Sequence, residues 1–195
     1  MVGACAPQVI NASGTPTTYV DHSTPGPVRG VGIESQDIVS MTDQMMRDML
    51  TDPRLAAQAV PPRVILDAEY FRNESSMRIN PNTITDRLRV SLNRAAAGRM
   101  QFVGRHYAGM VQNERNLKRD GITDKGSLPL AKAQKGADYR LGGRISSVDA
   151  RDVRSGMVQR YNQITFEMVD LETSEIIWSG IYEFAKAAQD DVVYR

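Results

Sequence analysis

Cysteine is almost absent: Cys5 is the only one in 195 residues. That excludes an intrachain disulfide and a cysteine-built metal site. Histidine is nearly as scarce, with His22 and His106 alone. Neither belongs to an H-E-x-x-H or H-x-x-E-H spacing, so no histidine-based metal centre is implied. Charge of one sign is missing too. Lys and Arg total 24 against 23 Asp and Glu, a net charge of +1, which gives no electrostatic reason to expect nucleic acid. No run approaches the roughly 18 apolar residues of a membrane-spanning helix. Nothing resembles a G-x-S-x-G nucleophile elbow.

What is present fits one ordinary globular unit, since 41% of residues are hydrophobic and 24% charged. Residues 6–34 stand apart in composition. Pro7, Pro16, Pro25 and Pro27 alternate with Gly14, Gly26, Gly30 and Gly32, and the apolar residues show no period. Such a segment buries too little to offset its ordering entropy, so residues 1–34 are expected to be a flexible tether. Gly30-Val31-Gly32 belongs to that tether in this reading. A tether of this size spans roughly 30 Å on average and about 100 Å when straight.

From Ser35 onward the pattern is periodic. Ser35 serves as an N-cap candidate, Ile38, Met41, Met45 and Met49 recur at helical spacing, and Pro53 closes the segment. The methionines could form a soft binding face, but their period favours a core-facing stripe. RVILDAEY (63–70) reads as a buried strand, followed by a polar loop. In the next helix Ile84, Leu88, Leu92, Ala95 and Ala96 make one stripe, with Gly98 as the C-cap candidate. A short strand spans 100–106. A second amphipathic helix then carries Tyr107, Met110, Val111, Glu114 and Leu117 on one line, and a short helix is expected at LAKAQKGA (130–137). Along ADYRLGGRISSVDA, Tyr139, Leu141 and Ile145 share one face, and Arg140 and Arg144 the other. YNQITFEMVDL and IIWSGIYEF, separated by ETSE, describe a hairpin. The fold class is therefore α/β (α+β): one mixed sheet with a C-terminal hairpin and packed helices over residues 35–195, behind the tether.

Catalytic signatures do not emerge. GITDKGS (121–127) places its lysine before the second glycine, where it cannot reach phosphates cradled by the loop. His106 reads as a cap or surface histidine, and Asp120, Asp124, Glu172 and Glu175 as solvated turn formers. Trp178 in a closing strand reads as core. No cofactor, metal or catalytic residue is assigned.

Val2-Gly3-Ala4-Cys5 fits the aliphatic, small, small, cysteine order of a bacterial lipobox, with a tether directly after it. Cys5 is the expected lipidation site; the basic and apolar regions of a signal peptide would lie upstream of Met1. The globular part carries a further likeness. SQDIVSMTDQMMRDML (35–50), VILDAEYFRNESSMRINPNTITDRLRVSLNRA (64–95), GADYRLGGRISS (136–147) and DLETSEIIWSG (170–180) resemble, in order, blocks of the penicillin-binding-protein activator family LpoB. E-I-I-W-S-G is the most specific piece. The resemblance implies an outer-membrane lipoprotein facing the periplasm, whose small domain is related to the N-terminal domain of TolB and to part of CsgG. It implies binding to a bifunctional class A penicillin-binding protein and stimulation of peptidoglycan synthesis, without catalytic residues. The contact surface is expected at the outward side of the third long strand, Arg140 and Arg144, with Arg72 and Arg78 from the loop after the first. The alternative is a non-catalytic lipoprotein subunit of an envelope or secretion assembly, similar to CsgG.

Overall fold

Why the methionines recur every four residues becomes plain in the computed structural model, which describes residues 19, 21–23, 30–56, 58–127 and 129–189. Met41, Met45 and Met49 lie on one side of α1 (Ser35–Thr51), fully buried. The stripe is core, as its period implies. Helix α1 is capped by Glu34 rather than Ser35: the Glu34 N–H donates to the Asp37 carboxylate at 2.8 Å. Pro53 does more than stop α1. It occupies the first position of a four-residue helix, α2 (Pro53–Ala56), where its missing N–H costs nothing.

Among the described residues five strands form one mixed sheet in the order β2-β1-β3-β4-β5. β1 (Arg63–Asn73) runs parallel to β2 (Gln101–Phe102) and to β3 (Tyr139–Arg151), while β4 (Val158–Asp170) and β5 (Ile176–Ala188) continue antiparallel. α3 (Pro81–Ala95) and α1 cover one face of the sheet. Ile84, Leu88 and Leu92 of α3 are fully buried, as are Ile145, Ile164 and Phe166 from the strands. Trp178 joins this core beside Met168. The expected hairpin is therefore present. Its loop is set by Asp170, whose carboxylate accepts from the Glu172 and Thr173 N–H groups at 2.8 and 2.9 Å.

Further expectations need correction. Residues 30–33, assigned to the tether, are buried: Asn162 donates to the Val31 carbonyl at 3.3 Å and Lys186 to the Gly32 carbonyl at 2.9 Å. β1 continues through Arg72 to Asn73, so Arg72 belongs to a strand, because Phe71 reaches the core and stacks near Phe166. No helix forms at 130–137. The carbonyls of Ala131 and Lys132 accept from the guanidinium groups of Arg115 and Arg119 instead of from helical N–H groups. Finally, α4 (Ala108–Arg119) buries no residue at all.

Candidate functional site

The second face of the sheet carries the residues that the strand alternation turns away from the helices. On β3 these are Arg140, Gly142 and Arg144. Gly142 has no side chain, and a Cβ there would lie 3.3 Å from the Tyr70 carbonyl oxygen. Glycine within a strand marks such a close approach. The result is a cavity of about 540 Å³ over Gly142 and Gly143. Tyr70, Arg72 and Arg140 contribute to one side, and Glu167, Val169 and Leu171 to the other.

Register explains how two cations meet. Leu66 pairs with Leu141 and Phe71 with Gly143, so β1 bulges between them. Beyond the bulge Arg72 falls directly beside Arg144. Like charges at paired positions on neighbouring strands oppose each other. Arg144 is 58% exposed, and Glu74 stands 3.9 Å from its Nε, too loosely to neutralise both arginines. These side chains suit an incoming carboxylate, while Tyr70, Val169 and Leu171 offer apolar area beside it.

Arg140 behaves differently. Its guanidinium donates to Asp67 at 2.8 Å and to Glu69, and it lies 4.3 Å from the Tyr70 ring centre. Burial works against its charge, but the hydrogen bonds to both carboxylates outweigh that and raise its pKa. Its side chain is only 15% exposed. Arg140 therefore holds the bulge that shapes the cavity wall and has little left to offer a partner.

Of the four arginines singled out in the sequence, the cavity gathers Arg72, Arg140 and Arg144; Arg78 is exposed but does not line it. Tyr70, Glu74, Glu167, Val169 and Leu171 escaped sequence reasoning. The signal that could have found them is Gly142-Gly143, a side-chain-free pair in mid-strand. Cys5 lies outside the described residues. Among the described residues no three of His, Cys, Asp and Glu are grouped to hold a metal ion. His106 stacks on Tyr107 at 4.0 Å between ring centres. It borders a smaller cavity of about 320 Å³ with Asp67, Glu69, Asp86 and Arg89.

The sequence profile of the peptidoglycan-synthase activator LpoB matches residues 37–184, most of the chain. The chain belongs to the LpoB family. Similar solved structures include the LpoB C-terminal domain from Escherichia coli, at 20% identity and a TM-score of 0.42, covering 73% of this chain and 94% of that one. The corresponding domain from Salmonella enterica is 19% identical, with a TM-score of 0.41 and coverage of 73% and 94%. Lipoprotein GNA1162 from Neisseria meningitidis is 16% identical, with a TM-score of 0.34 and coverage of 68% and 88%. No curated protein matches the sequence. The family match spans β1 to β4 and most of β5, so the LpoB region includes both the helix-covered core and the arginine-lined cavity. Among the described residues no helix is long and apolar enough to cross a membrane.

Proposed function

We propose that this chain is an outer-membrane lipoprotein, acylated at Cys5, that binds a class A penicillin-binding protein and stimulates peptidoglycan synthesis. The observation that supports this reading most is the LpoB match over residues 37–184. In this reading the cavity floored by Gly142 receives the partner, with Arg72 and Arg144 meeting an acidic group on the synthase. Arg140 keeps the wall in shape. Arg78, off the cavity, serves at most at the rim.

A non-catalytic domain can accelerate a synthase only by binding its active conformation better than its inactive one. A tether confines the domain near its partner and raises its effective concentration there. The decisive assay measures glycan polymerisation and cross-linking by a purified class A synthase, with and without this protein. The expected result is a faster synthase and no turnover by the protein alone. An unchanged synthase, or turnover unaided, refutes the reading. Acylation has its own test: the protein exported behind a lipoprotein signal sequence should incorporate labelled palmitate, and its Cys5→Ser variant should not.

The alternative, a structural subunit of an envelope or secretion assembly, draws on β5. Among the described residues this thirteen-residue strand has a single neighbour in the sheet, and a long edge of that kind invites another strand. A defined oligomer in detergent, together with no effect on synthase rate, would favour it.

A further inference from the structure

Helix α4 is the anomaly of this fold. A twelve-residue helix is marginal in water unless an apolar face is packed. Yet its line of Tyr107, Met110, Val111, Glu114 and Leu117 faces outward: Tyr107 is 53% and Met110 65% exposed, with Val111, Leu117 and, just beyond the helix, Ile122 also exposed, while the Glu114 carboxylate on that line is paired with Lys118 at 3.4 Å. The helix is held from its other flank. Arg115 and Arg119 donate to the Ala131 and Lys132 carbonyls at 2.8 to 3.3 Å, and Gln134 reaches the Ala108 carbonyl at 3.4 Å. None of these residues lines the arginine cavity.

Charge identifies what suits this face. From Arg105 to Lys135 the chain carries Arg105, Arg115, Lys118, Arg119, Lys125, Lys132 and Lys135 against only Glu114, Asp120 and Asp124. The whole protein is nearly neutral, at +1, so positive charge is concentrated here. Four of the seven cations are lysines. Lysine is depleted in protein–protein interfaces, whereas lysines around a short apolar line are the pattern of helices that lie in a lipid headgroup layer. Tyrosine, with its polar tip, suits the same depth.

We propose that the outward face of α4 docks on an anionic phospholipid surface, with Tyr107, Met110, Val111 and Leu117 entering the headgroup layer and the lysines meeting lipid phosphates. This contact is separate from the partner cavity and does not depend on the synthase reading.

The test uses the full chain carrying Cys5→Ser, so that no acyl chain contributes. Its co-sedimentation is measured with vesicles of phosphatidylcholine alone and of phosphatidylcholine with phosphatidylglycerol in equal parts. The expected result is retention on the anionic vesicles only, weakening as salt is raised. Met110→Asp, and separately the double variant Lys132→Glu/Lys135→Glu, should each weaken retention about tenfold or more while leaving the circular dichroism unchanged. Absence of binding to anionic vesicles overturns the proposal, as does equal binding by wild type and both variants. Loss of synthase binding in Met110→Asp without any vesicle binding would show a protein-docking face instead and would equally overturn it.

Discussion

Arg140 of β3 and Asp67 of β1 form a hydrogen-bonded ion pair at 2.8 Å, with both side chains largely buried. Glu69 reaches the same guanidinium nitrogen. Two carboxylates thus depend on one cation inside the bulge of β1. Removing that cation leaves Asp67 buried and uncompensated, and its desolvation then counts in full. Arg140→Ala should destabilise the domain by about 2–3 kcal/mol, discounted from a fully buried pair because Glu69 is exposed. Urea unfolding at neutral pH checks this; a change under about 0.5 kcal/mol would mean the pair is not holding the bulge.

Arg72 and Arg144 should respond in the opposite way. They repel each other across paired strand positions, so Arg72→Glu replaces repulsion by attraction. Stability should hold steady or rise by a few tenths of a kcal/mol. Under the proposed function, with an acidic group of a class A synthase entering the cavity, binding should fall at least about tenfold. Titration of the synthase with wild type and Arg72→Glu, alongside thermal melting, separates the two effects. Intact binding in a folded Arg72→Glu variant would remove the cavity as the contact surface.

The paired glycines offer a contrast between core and cavity. A Cβ at Gly143 would lie 2.6 Å from the Phe71 ring and from the Thr165 carbonyl oxygen. Since part of that obstacle is backbone, Gly143→Ala should cost about 2–3 kcal/mol through overpacking. At Gly142 the nearest atom is 3.3 Å away, so Gly142→Ala should cost less. Its methyl group, however, fills the cavity floor and should weaken partner binding. Equal destabilisation by both substitutions would contradict this division.

Acid should loosen the far end of β3. Arg160 donates to the Asp149 carboxylate at 2.6 and 3.0 Å. Those hydrogen bonds hold the Asp149 pKa below the usual aspartate value. A depressed carboxylate stabilises the fold above its unfolded pKa, and the contribution disappears as pH falls through the folded value. The loss should therefore begin only below about pH 4. Melting curves across that range should show wild type losing more stability than Asp149→Asn, which should already be about 1–2 kcal/mol weaker at neutral pH. Parallel curves for the two would exclude Asp149 as a contributor to acid sensitivity.

Much of this architecture is legible before any folding is considered. Met41, Met45 and Met49 declare a buried helix face by their spacing, and the alternation through Ile164, Phe166 and Met168 declares a strand. Arg140 and Arg144 are turned away from the core by the same two-residue period. The local rules work because they depend on neighbours a few residues apart.

Periodicity says which residues share a face, and it cannot say which faces meet. That is why Arg140 looked as available as Arg144: its carboxylate partners sit on another strand, in a bulge that only the pairing of β1 with β3 creates. The same limit applies to α4, whose apolar line predicts a helix face but not that, among the described residues, none of that face is buried. Val31 and Ile33 look like tether residues until Asn162 and Lys186, far along the chain, bind the carbonyls around them. Sequence determined the long helices and strands, their polarity and the family's blocks. The three-dimensional structure alone decided which charges are neutralised and which are left to act, because charge compensation depends on distances between segments that are remote in the chain.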